Sequence, residues 1–215
     1  MASLLYFLYK IWYGKVESQD YGVPQLRPRL VLLASRLGPI SMIPPTTPAG
    51  KRRTVRNAIG HLPPITEGAI CPKDRFQSAA ELSELNYERI VHSNPGGSWK
   101  DWPERLIAKC HKNPKGSHYV SVYGRMKWDE PSPTLTTQFY GYGNGRFGHP
   151  EQHRAISLRE GAILQSFPGD YKFCRDGDEI FRKYIGRLIG NSVPVKLAEA
   201  IGKSFLEHIS EMNKK

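Results

Sequence analysis

The stretch AISLREGAILQSFPGDYKF, running from Ala155 to Phe173, decides how the rest of the chain is read. Ser157 followed three positions later by Glu160 is an S-x-x-E capping box, in which the serine hydroxyl takes one free helix-end N–H and the glutamate reaches back to another. A helix is therefore predicted from about Leu158. Leu158, Ala162 and Gln165 share one side of it, with Ile163 and Phe167 close by. Pro168 and Gly169-Asp170 then end it in a turn. So short a helix does not persist alone in water, so it must rest on neighbouring structure.

Working outward, DYGVPQLRPR stands at Asp20 to Arg29 and IGNSVPVKLAEAI at Ile189 to Ile201. Taken in order, the three stretches resemble the eighth, ninth and tenth of the ten sequence blocks of DNA cytosine-5 methyltransferases. The variable target-recognition region of that family falls between the eighth and ninth. The resemblance implies an α/β chain: a carboxyl-terminal fragment of a methyltransferase-type Rossmann-like sheet, with a small, irregular, mixed α/β target-recognition domain. Residues 1–38 would be the end of the catalytic domain and 39–173 the recognition domain, including the Leu158 helix. Residues 174–215 would be helices returning to the catalytic domain.

Composition points the same way without naming the partner. The 215 residues carry a formal charge of +11, which favours a polyanion because neutralised phosphates release condensed counterions. A merely basic soluble protein would share that charge. Cys71, Cys110 and Cys174 are odd in number and far apart, which writes neither a disulfide framework nor a CxxC metal pair, and a reducing cytoplasm fits. Cys110-His111 and His118 lack a second close pair, so no metal is expected. The apolar opening SLLYFLYKIWY is too short to span a bilayer. Its helical spacing, Leu4, Leu5, Phe7, Leu8, Ile11 and Trp12 with Gly14 as a stop, predicts a buried helix.

Gln25, Arg27 and Arg29 occupy alternate positions, so an extended backbone points all three to one side. On their own they read equally as surface groups at a strand entrance. The RLVLLAS run after them predicts a strand buried on both faces. By resemblance, Arg29 would donate to a flipped cytosine near O2, and Arg27 would steady the site or a phosphate. Asn191-Ser192, ahead of Pro194, reads as a helix-start cap. By resemblance it would instead meet the amino-acid end of S-adenosylmethionine. The last helix would bury Leu197, Ile201, Phe205 and Ile209.

In the recognition region DWPERLIAKC predicts a helix, and HYVSVYGRMKW and SPTLTTQFY alternate like strands. There the resemblance implies a guanine-reading role for Arg125. It also sets Thr134 and Leu135, with Gln138 as a further candidate, near the flipped nucleotide. Arg125 would otherwise be a strand-surface cation. The basic run Lys51-Arg52-Arg53 reads as solvated surface or as a phosphate contact.

The reaction implied needs a thiolate to attack cytosine C6, an acid at N3, a methyl-donor pocket and a base removed from the stack. The family takes these from an FxGxG turn, a Pro-Cys-Gln loop and a Glu-Asn-Val strand, and by this reading none of the three occurs in the chain. No cysteine here follows a proline. With Met1 at its start, the chain is expected to be the smaller subunit of a split enzyme acting on double-stranded DNA. A partner chain would supply the three missing blocks, and S-adenosylmethionine would be bound mostly by that missing amino-terminal part. The alternative is a truncated, inactive DNA-binding or regulatory protein.

Overall fold

The structure, a computed structural model, describes residues 8–214. Strand β1, Lys10–Glu17, pairs antiparallel with β2, Pro28–Ser35, in a register running from Lys10 opposite Ser35 to Glu17 opposite Pro28. The predicted opening helix is thus corrected over Ile11 and Trp12, which lie in a strand with Gly14 inside it. Leu4, Leu5 and Phe7 fall outside the described residues. The apolar run was too short for spacing to separate helix from strand. Its aromatic and β-branched members favour the pleated surface that β2 offers. The expectation for β2 is corrected too, because Val31 and Leu33 are buried whereas Leu30 is 77% and Leu32 45% exposed. One face of the hairpin is covered and the other carries bare aliphatic side chains.

Helix α1 spans Val55–Ile59, α2 Glu84–Val91, α3 Leu158–Leu164, α4 Arg182–Asn191 and α5 Val195–Met212. The covered face of the hairpin meets α5, and Val16, Val31, Leu33, Ile40, Leu197 and Ala200 form their shared core. The stripe of α5 is rotated from the one expected. Leu197, Ala200, Ser204 and His208 are buried, Ile201 and Phe205 sit at its flank, and Ile209 is exposed. Polar residues can take the inner positions because each has a partner. His208 Nε2 lies 2.7 Å from Ser35 Oγ, and Ser204 Oγ accepts the Ile43 N–H at 3.0 Å.

A second core gathers α1, the short hairpin of β3 (Ile70–Cys71) and β4 (Asp74–Ser78), α3 and α4 around Phe76, Leu135, Phe139, Leu158 and Ile189. The capping box forms as predicted: Ser157 Oγ accepts the Glu160 N–H at 3.0 Å, and Glu160 accepts the Ser157 N–H at 2.6 Å. Gly161 is needed there, since a Cβ would lie 2.1 Å from the Phe139 ring.

Residues 92–157 contain 3₁₀ turns at Trp99–Asp101, Glu104–Leu106, Lys109–Lys112 and Tyr142–Asn144, plus isolated bridges. The helix expected at 101–110 and the strands expected at 118–128 and 132–140 are corrected accordingly. Pro103, Pro114, Pro131 and Pro133 remove the N–H groups that a ladder or helix would use. Instead a third core, of Ile90, Trp99, Trp102, Leu106, Tyr142 and Ala155, holds the segment through side chains.

Behind α3 lies a buried polar cluster. Arg154 donates from both terminal nitrogens to the two Glu160 oxygens at 2.7 Å, and His149 Nε2 stands 3.8 Å from Glu160. Burial, opposed by the Glu160 charge and reinforced by Arg154 and Arg125, pulls His149 from 6.5 down to about 4. The unfolded chain therefore binds the extra proton first as pH falls. Stability from this group is full above pH 6.5 and lost progressively toward about 4, by roughly 3 kcal/mol. His149→Gln should flatten that part of the pH profile in urea unfolding, and an unaltered profile would exclude His149 as its source.

Candidate functional site

Gln25 and Arg27 form a buried hub. The Gln25 Oε1 accepts the Leu135 N–H at 3.0 Å, and its Nε2 donates to the Leu164 carbonyl at 3.1 Å. Arg27, 3% exposed, donates from Nη1 to Leu135 O and from Nη2 to Gly190 O, both at 2.7 Å, with Ser192 O at 3.4 Å. Backbone bonds run alongside: Leu26 N–H to Ser132 O at 2.8 Å and Ser132 N–H to Pro24 O at 3.0 Å. Gln165 donates to Ile189 O at 2.9 Å, which ties the end of α3 to α4. Gly190 lets α4 press on the loop, for a Cβ there would lie 2.3 Å from Thr136 O. Four segments far apart in sequence thus meet at two side chains. Desolvation, then the Arg29 charge, lowers Arg27 to about 10, so it remains a cation at neutral pH.

Around this hub the other sequence-predicted residues separate into two groups. Thr134, Gln138 and Asn191 are exposed, and Arg29 is partly exposed. Arg29 Nη1 donates to the adjoining Pro28 carbonyl, and among the described residues no carboxylate pairs with it. Leu135 is buried in the core, whereas Thr134 Oγ1 donates to Leu26 O. Ser192 Oγ donates to Ile189 O at 2.7 Å, which leaves its oxygen able to accept.

Arg125 is not brought to the hub. It is 2% exposed, and its donors face the Ile90, His149 and Gln152 carbonyls and His153 Nδ1. All of its N–H groups are taken up within the chain, where they join α2 to residues 149–153, and a guanine contact would require them to exchange partners. Burial lowers its pKa, with a partial offset from Tyr142. Arg52, from the basic run, is likewise committed, to Asp20 at 2.6 and 2.9 Å.

The letters F-x-G-x-G do occur, at Phe139 to Gly143. Phe139 is core there and Tyr142 opens a 3₁₀ turn, so the string follows no strand and makes no phosphate- or cofactor-type turn. The joining role of Gln165, and the buried Arg154 and Glu160 pair, were not anticipated. The i to i+3 box marks Glu160 as a helix-end acceptor only, and nothing local marks its second partner.

The mixed α/β fold is that of a methyltransferase. It matches, with a TM-score of 0.68 and 22% identity, the crystal structure of an E. coli protein described as a DNA modification methyltransferase encoded within a prophage, over 97% of this chain and 63% of that one. The chain belongs to the C-5 cytosine-specific DNA methylase family, whose sequence model matches residues 1–207. It is 52% identical to the type II methylase M.HgiDII of Herpetosiphon aurantiacus over 98% of its own length and 60% of that protein. To the type II methyltransferase M.Sau96I of Staphylococcus aureus it is 30% identical over 95% of its length and 45% of the relative. The chain therefore spans about half to three fifths of these two relatives. Among the described residues no group of three or more His, Cys, Asp or Glu could hold a metal ion, and no helix is long and apolar enough to cross a membrane.

Proposed function

We propose that this chain recognises duplex DNA and completes the active site for methyl transfer from S-adenosylmethionine to C5 of cytosine. The nucleophile and most of the cofactor pocket would lie on polypeptide outside residues 1–215. The observation that carries this reading is the Gln25 and Arg27 hub. It gathers the three family blocks and the Thr134-Leu135 loop into one place, with Thr134 and Asn191 exposed next to its partners Leu135 and Gly190 and Arg29 partly exposed two positions past Arg27. Arg29 suits the base, because a guanidinium is always charged and presents a rigid fork of donors. Asn191 and the accepting face of Ser192 fit the ammonium and carboxylate end of the cofactor as one rim of a pocket, not as a whole one. When bound, S-adenosylmethionine supplies the methyl group.

The thiolate has no source here. Cys71 is buried, Cys110 lies in an outlying turn and Cys174 packs beside the second core, so none joins the hub. The bare Leu30 and Leu32 face of β2 supports a covering polypeptide, since solvent-exposed aliphatic side chains beside a two-stranded edge favour association. A complementary polypeptide carrying Pro-Cys-Gln, FxGxG and Glu-Asn-Val blocks should restore transfer of labelled methyl groups to duplex DNA. Transfer by this chain alone would overturn the division of labour. In the restored enzyme Arg29→Ala should lower turnover by about 10²-fold while duplex affinity stays within about threefold, the pattern of a donor used in the transition state. Equal turnover would remove Arg29 from the site.

A further inference from the structure

With Arg125 withdrawn into the core, the outward cations of the recognition region lie elsewhere. From Arg105 to Trp128 the sequence holds no acidic residue, yet it carries Arg105, Lys109, Lys112, Lys115, Arg125 and Lys127. Lys109, Lys112 and Lys115 are exposed, together with His118 and Tyr119, the latter at 65%. Among the described residues neither Lys109 nor Lys115 is paired with a carboxylate. Lys112 reaches only the largely solvated Glu104, at 3.1 Å. A surface pair of that kind is weak and exchanges readily for a phosphate.

A charge run is ordinarily a floppy, solvated face. This one is built. His111 is buried and stacked on Trp99, with ring centroids 4.5 Å apart and planes 7° from parallel, and it meets Tyr123 edge-on at 6.0 Å. Trp99 Nε1 donates to the Tyr119 carbonyl at 2.8 Å, which pins the far end of the loop to the same indole. Gly116 folds the loop onto itself so closely that a Cβ would lie 1.7 Å from the Cys110 carbonyl. The Gly116 and Ser117 N–H groups both donate to Asn113 O, at 2.9 and 3.0 Å. Both ends of residues 110–119 are therefore held by one aromatic root, and the lysines project from it. Such preorganisation reduces the entropy lost when the side chains meet a polyanion.

We infer that the loop of residues 109–119, rooted on Trp99 and His111, is a phosphate-backbone anchor for double-stranded DNA, with Lys109, Lys112 and Lys115 as its contacts. The inference rests on the proposed DNA-recognition function and adds the surface that bears the duplex. The test is an anisotropy titration of the full chain against a duplex oligonucleotide between about 50 and about 200 mM salt. In the triple variant K109A/K112A/K115A the plot of log affinity against log salt should become shallower by about 2–3. Thermal unfolding should stay unchanged, and Lys203→Ala, on α5, should alter neither. Should the triple variant unfold, K109Q and K115Q made singly should each reduce the slope by about 0.9. An undiminished slope in folded variants overturns the loop assignment and leaves DNA recognition standing. Failure of the wild-type chain to bind any duplex overturns both readings.

Discussion

Arg27→Met should cost about 3–5 kcal/mol of folding stability, measured as a lower urea midpoint at pH 7. The guanidinium is buried, and its removal leaves the Leu135 and Gly190 carbonyls facing each other with no donor between them. A domain whose total stability is of order 5–15 kcal/mol would lose a large share of it. Arg27→Lys keeps the charge but not the planar fork, so it should recover only part of the loss. Activity in the restored enzyme should fall in step with stability, since the same bonds hold Thr134 and Asn191 about the hub. A loss under about 1 kcal/mol would show that the four segments hold together without this side chain.

Arg154→Met should be of similar size, about 3–5 kcal/mol, for a different reason. Burial alone would raise the Glu160 pKa; two hydrogen bonds and the charge of Arg154, with smaller help from His149 and the Ser157 N–H, bring it below the ordinary carboxylate value. At neutral pH His149 is uncharged, which leaves Arg154 as the working counter-ion. With that partner gone, desolvation dominates and Glu160 should take up a proton at higher pH. In the wild type, this carboxylate contributes stability above its unfolded value of about 4.5, and that contribution is lost as pH falls through the lower folded value. In Arg154→Met the sign reverses: with the folded value above the unfolded one, the variant should regain part of its lost stability as pH falls through that raised value. The double variant Arg154→Met/Glu160→Met should cost less than the two single losses added, because both members of the pair go together. Strict additivity would mean that the pair is not coupled.

Much of the local structure was legible in the residues themselves. Ser157 and Glu160 form their box because three-residue spacing suffices to bring hydroxyl, carboxylate and backbone together. Pro194 opens α5 because its ring cannot continue α4. Alternation was legible as well: Gln25 and Arg27 do reach the same neighbour, Leu135. What alternation could not tell is whether that side is water or core. Arg27 and Arg125 both read as reaching arginines, and both are enclosed by carbonyls from segments tens to more than a hundred residues away. The opening strand departs from its helical spacing for a related reason, since Ile11 and Trp12 take their conformation from the partner strand β2.

The residues alone determined the family resemblance, the basic charge, the capping box of α3 and the starts of α3 and α5, because each depends on groups a few positions apart; α3 stops at Leu164, short of the turn expected at Pro168. Only the tertiary structure decided which arginines are spent as buried clamps, which face of β2 stays bare and which lysines are held outward. Those outcomes depend on desolvation and hydrogen-bond partners supplied by remote chain, and no local spacing encodes them.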